Sequence, residues 1–81
     1  MTKIYACLIG NWVCLNDDPE CTISDEHKSP FCWWEENAPI CSPDKTQEYI
    51  KQSFYKLDYV HIVYKGKHYR ISPTLVQIVN E

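Results

Sequence analysis

Glycine is scarce in this 81-residue chain: it has two, Gly10 and Gly66, beside five prolines. So little glycine excludes a flexible linker or a low-complexity tract and makes each glycine a marker of a turn. No run of about 18 apolar residues occurs, so no helix is expected to span a membrane. The apolar stretch 4–9 stops at Gly10-Asn11, too short and too polar beyond for a secretory signal, and reads as a strand. There is no basic excess: eight Lys and Arg face eleven Asp and Glu, for a net charge of −3. There is no C-x-x-C, and five cysteines cannot all pair within one chain. An odd count without a secretory signal favours free thiols in the reducing cytoplasm, most of them acting as small buried hydrophobes. No cofactor is implied.

Aromatics are plentiful, with three Trp, six Tyr and two Phe. A chain of this size forms one domain over 1–81 and buries only about 60% of its unfolded surface, so it needs a dense aromatic core. The clearest element lies in 59–79. Val60, Ile62 and Tyr64 alternate with His61, Val63 and Lys65, the period of two expected of a strand. Lys65-Gly66 breaks the run as a tight hairpin turn would. Closing there sets a register of Tyr64 on Lys67, Ile62 on Tyr69 and Val60 on Ile71, with His61 on Arg70 and Val63 on His68 on the other face. One face is apolar and the other polar, so this sheet covers a core on one side.

Residues 3–15 read as one long curling strand, or as two strands joined at Gly10-Asn11. Ile4, Ala6, Leu8 and Trp12 share one parity. Asn16-Asp17-Asp18-Pro19 reads as a turn, with 21–23 returning as a short strand that would set Cys14 opposite Cys21. An irregular aromatic loop is expected over 24–44, where Pro30, Pro39 and Pro43 exclude regular structure over most of the stretch. Ser42-Pro43-Asp44 has the composition of a helix start, and Ile50, Phe54 and Leu57 follow at i, i+4 and i+7, which predicts a short helix around 47–55.

After the hairpin, Ser72-Pro73-Thr74-Leu75 reads as a single helical turn and Val76 to Val79 as a last short strand, within the runs Tyr69-Arg70-Ile71-Ser72-Pro73 and Leu75-Val76-Gln77-Ile78-Val79. A twisted hairpin, a one-turn connector and a strand closing on the first strand resemble the ending of SH3-like barrels. The resemblance implies a mostly-β small barrel, here with one short helix and a long aromatic loop. It also implies a binding module rather than an enzyme.

Several sets of residues are candidates for chemistry. Adjacent Trp33 and Trp34, followed by Glu35 and Glu36, suit a protein-binding site, since Trp dominates interface hot spots. Extended backbone would send the two rings to opposite sides, Trp33 into the core beside Trp12 and Trp34 outward within a polar rim. His61, Lys65, Lys67, His68 and Arg70, with nearby tyrosines, suit nucleic acid, although the acidic balance opposes it. Cys21, His27, Cys32 and Cys41 have the ligand types for zinc, but their spacings lack the paired-cysteine knuckle. Asp17-Asp18, Asp25-Glu26 and Glu35-Glu36 are adjacent pairs whose side chains diverge in extended chain, so they read as solvated charges. No catalytic triad can be assembled. The expected function is a non-catalytic interaction module or accessory protein with a protein partner. A nucleic-acid-binding small barrel using the 59–70 hairpin is the alternative, and a zinc-stabilised domain the third reading.

Overall fold

The structure is a computed structural model that describes residues 1–42 and 57–81. The described residues form two three-stranded antiparallel sheets and one short helix. Strand β1 (Thr2–Leu8) turns at Ile9-Gly10 into β2 (Asn11–Cys14), and a 3-10 turn over Leu15–Asp17 leads to β3 (Thr22–Ile23). Helix α1 (Pro30–Glu35) follows, then the hairpin β4 (Val60–Tyr64) and β5 (Lys67–Ile71), a 3-10 turn at Pro73–Leu75 and β6 (Val76–Asn80). The strand orders are β2-β1-β6 and β3-β4-β5.

Alternation explains both sheets. Ile4, Ala6 and Leu8 are buried along β1, and Val60 and Ile62 along β4. The β4–β5 register is Val60 on Ile71, His61 on Arg70, Ile62 on Tyr69, Val63 on His68 and Tyr64 on Lys67, as the alternation predicted. The turn works because Lys65 and Gly66 both take positive φ, 50° and 78°, the hand that matches strand twist. The Asp18 carboxylate accepts the Lys65 N–H at 2.8 Å. Strand β6 pairs with β1 from Thr2 on Asn80 to Ala6 on Val76, so the last strand does lie on the first. The inward residues of both sheets meet Leu15, Cys21 and Trp33 in one core.

Four expectations need correction. The sheets do not close into a barrel. The 3-10 turn carries the chain from one sheet to the other, and β3 has two residues, both paired with β4. Beyond Thr22 and Ile23 the backbone folds onto itself, Ile23 exchanging hydrogen bonds with Lys28 at 2.7 and 3.1 Å. Cys14 and Cys21 are therefore not a cross-strand pair; Cys14 lies opposite Tyr5. The two-residue turn at Ile9-Gly10 also resets parity, so Trp12 pairs with Cys7 on the outer face instead of joining Ile4 and Ala6. Last, the stretch expected to be irregular contains α1. Its first residue is Pro30 and its N-cap is Ser29, whose Oγ accepts the Cys32 N–H at 3.3 Å, an arrangement that proline tolerates only at a helix start. The helix expected around 47–55 lies outside the described residues.

Ile62 is the center of this arrangement, fully buried on the middle strand of its sheet. Ile62→Ala is expected to cost about 2–5 kcal/mol in denaturant unfolding. Lys67→Ala, on the exposed end of the same hairpin, should stay within about 0.5 kcal/mol. Similar losses from both would refute the burial of Ile62 on which this core rests.

Candidate functional site

The tryptophan pair sits on α1, and the helix separates the two rings. Adjacent helical residues point about 100° apart, so one can face the core while the next faces solvent. Trp33 is 3% exposed and its indole N–H donates to the Pro39 carbonyl at 2.8 Å. That bond satisfies the one polar atom that burying an indole would otherwise strand. Trp34 is 40% exposed and Phe31, three residues earlier on the same side, is 56% exposed. Positions three apart are neighbours on a helix surface. Together with Thr2, Glu35 and Asn37 they line a shallow groove. Glu36 does not belong to this rim. It holds Lys28 together with Glu26, whose carboxylate lies 3.1 Å from the ammonium. Glu36 and Glu26 keep the Lys28 ammonium above its ordinary range.

The basic hairpin face is organised around an acidic residue, Asp25. The loop after β3 places it there: the Ser24 N–H donates to the His61 carbonyl at 2.8 Å, and Ser24 and His27 both take positive φ to close the turn. One Asp25 oxygen accepts the Cys41 thiol at 3.3 Å and the Tyr59 hydroxyl at 3.2 Å. The other lies 3.3 Å from His61 Nδ1. His61 Nε2 meets His68 Nδ1 at 3.0 Å, and the His27 ring stands edge-on to His61. The Arg70 guanidinium lies over the Tyr59 ring, 3.7 Å from its centroid. Cys41 and Tyr59 also exchange backbone hydrogen bonds, both 2.9 Å. One carboxylate thus joins the 24–27 loop, Cys41 and the start of β4.

The hydrogen bonds from Cys41, Tyr59 and His61 hold the Asp25 carboxyl below the usual carboxylate range, against a smaller opposing effect of burial. Burial, followed by the hydrogen bond to Asp25 and then the Asp25 charge, pushes the Cys41 thiol up. The Cys41 thiol is thus the donor and the Asp25 carboxylate the acceptor in this contact.

Of the nucleic-acid candidates, Lys67 is exposed, Lys65 lies 5.5 Å from the Tyr64 ring centroid, and His61, His68 and Arg70 are engaged as described. Two carboxylates, Asp18 and Asp25, sit among them. The zinc candidates are not gathered: among the described residues no group of three or more His, Cys, Asp or Glu could hold a metal ion. Cys21 is in the core, its thiol pushed up to about 12 by burial and then by Asp18, while Cys32 is exposed on α1. No helix among the described residues is long and apolar enough to cross a membrane.

Sequence reasoning missed Phe31 and Asp25. Phe31 was legible once Ser29-Pro30 is read as a helix start, the same signal assigned at Ser42-Pro43. Asp25 carried no signal, because its partners come from positions 16 and more than 30 residues away.

The Asp25 contacts set a pH dependence. A carboxyl depressed in the folded state contributes stability that is fully present above the unfolded value of about 3.9 and is lost as pH falls through the folded value. Asp25→Ala should therefore be less stable than the natural chain at neutral pH, with the gap closing in acid. A gap unchanged between neutral pH and about pH 3 would show that the carboxylate charge is not what these contacts use.

Comparison of the chain with protein-family models, with curated proteins and with solved structures found no match.

Proposed function

We propose that the chain is a non-catalytic module that binds another protein through the exposed face of α1. The observation that carries this reading is the split between neighbours: Trp33 is buried and hydrogen-bonded, whereas Trp34 and Phe31 stay exposed beside a groove. Large aromatic surface held rigidly in water is what interfaces use as anchors, with polar residues around it. Glu35, Asn37 and Thr2 supply that rim. The C-terminal hairpin, one-turn connector and closing strand, which resemble the ending of SH3-like barrels, favour the same class, since such domains are mainly binding modules. The odd thiol count favours a cytoplasmic setting. Nucleic acid is the weaker alternative, because Asp18 and Asp25 interrupt the basic hairpin face and the whole chain is acidic.

The test uses the immobilised 81-residue chain to capture its partner, which is then identified, purified and titrated. Trp34→Ala and Phe31→Ala should each weaken binding by roughly tenfold or more, with the folded state intact. Trp33→Ala should instead destabilise the fold by about 3–5 kcal/mol. A captured partner that binds the Trp34→Ala chain undiminished would refute the α1 face. Binding to single-stranded oligonucleotide that collapses at high salt would favour the alternative.

A further inference from the structure

The outer face of the β4–β5 hairpin brings His27, His61 and His68 together beside Asp25. One hydrogen bond in this group has a chemical limit. His61 Nε2 lies 3.0 Å from His68 Nδ1, with the rings inclined at 22° and their centroids 5.2 Å apart. Two ring nitrogens at that distance share one proton: one donates and the other must keep its lone pair. Asp25 decides which. The Cys41 thiol and the Tyr59 hydroxyl occupy one carboxylate oxygen, and His61 Nδ1 faces the other at 3.3 Å. A carboxylate only accepts, so His61 Nδ1 carries a proton. In neutral His61 the Nε2 is then bare and accepts from His68 Nδ1–H. One added proton fits without moving a ring. It enters at His68 Nε2, the shared proton crosses to His61 Nε2, and His61 becomes an imidazolium that donates to both Asp25 and His68. A second added proton does not fit. It places a hydrogen on both facing nitrogens and a charge on both stacked rings.

The surroundings do not relieve that conflict. His27 stands edge-on to His61 with centroids 5.8 Å apart, and Arg70 is the cross-strand partner of His61. Glu26 lies with Lys28, Lys65 lies over the Tyr64 ring, and Lys67 sits opposite Tyr64 on the alternate parity. The hydrogen bonds from Cys41, Tyr59 and His61 hold the Asp25 carboxyl below the usual carboxylate range, so it stays ionised and keeps its hold on His61. The ring free to leave is the exposed one, His68.

We propose that the His61–His68 pair is a proton-operated latch on the β4–β5 face, closed with no added proton or one and opened by the second, which turns the His68 ring into solvent. Imidazole changes charge between about pH 5 and 8, so the latch reads that range. Opening also changes the charge of the face: His27, His61 and His68 join Arg70 as cations around Asp25.

His68→Ala tests the latch through stability, because His68 is exposed and its loss leaves the core intact. The unfolded chain takes the second proton freely and the latched pair resists it, so the latch loses its contribution to stability as pH falls. The natural chain should melt higher than His68→Ala at about pH 8, and the difference should vanish or reverse at about pH 5. No difference at the higher pH, or one that persists at the lower, overturns the latch. Nitrogen-15 NMR of the imidazoles of the natural chain gives a second readout. At about pH 8 His61 should carry its proton on Nδ1, and the ring C–H protons of His61 and His68 should show a nuclear Overhauser effect. At about pH 5 both rings should be doubly protonated and that effect lost. His61 protonated on Nε2 alone at the higher pH, or an Overhauser effect that survives with both rings doubly protonated, overturns the proposal.

Discussion

The arrangement of this small protein depends on one buried indole. Trp33 is the largest side chain in the core, and it reaches that core from a helix of six residues. A helix so short has little stability of its own. It is held by its ends and by what it buries: Ser29 caps the first turn, and the Trp33 N–H ties the indole to Pro39 just beyond the last. Burying a full aromatic side chain contributes about 1.5–3 kcal/mol, a large share for a domain whose whole stability is about 5–15 kcal/mol. Once Trp33 is fixed inward, helical geometry dictates that Trp34 and Phe31 face elsewhere. The exposed aromatic face therefore follows from the packing of its neighbour.

A second constraint acts on the β3-β4-β5 sheet. Asp25 gathers Cys41, Tyr59 and His61, and His61 passes the connection on to His68. A carboxylate with several donors is well suited to tie loops, because each hydrogen bond to a charged group is worth more than a neutral one. The Cys41–Tyr59 backbone pair lies against this cluster and holds residue 41 beside the start of β4. The same carboxylate that fastens these segments places a negative charge on the hairpin face beside His61.

The sequence was most legible where the chemistry is local. The β4–β5 hairpin follows from alternation and one glycine, and its register agrees residue by residue because a two-residue turn leaves no freedom to slip. The Pro73–Leu75 turn and the pairing of β6 with β1 were legible for similar reasons. The difference in burial between Trp33 and Trp34 was also anticipated, though through extended backbone, and a helix produces the same difference by another periodicity. Trp12 was misplaced because a tight turn changes which parity faces inward, something alternation across Gly10 cannot register. The open arrangement of the sheets rests on a strand of two residues, too short to leave a pattern. Asp25 was invisible because three acidic pairs look alike until the fold chooses one.

Hydrogen exchange at the indole N–H groups, followed by NMR and assigned with single-tryptophan substitutions, tests the central claim most directly. The three tryptophans give three separate signals. With its N–H bonded to Pro39 inside the core, Trp33 should exchange slowly, while Trp12 and Trp34 should exchange fast. Fast exchange at Trp33, or protection at Trp34 equal to that at Trp33, would contradict the account.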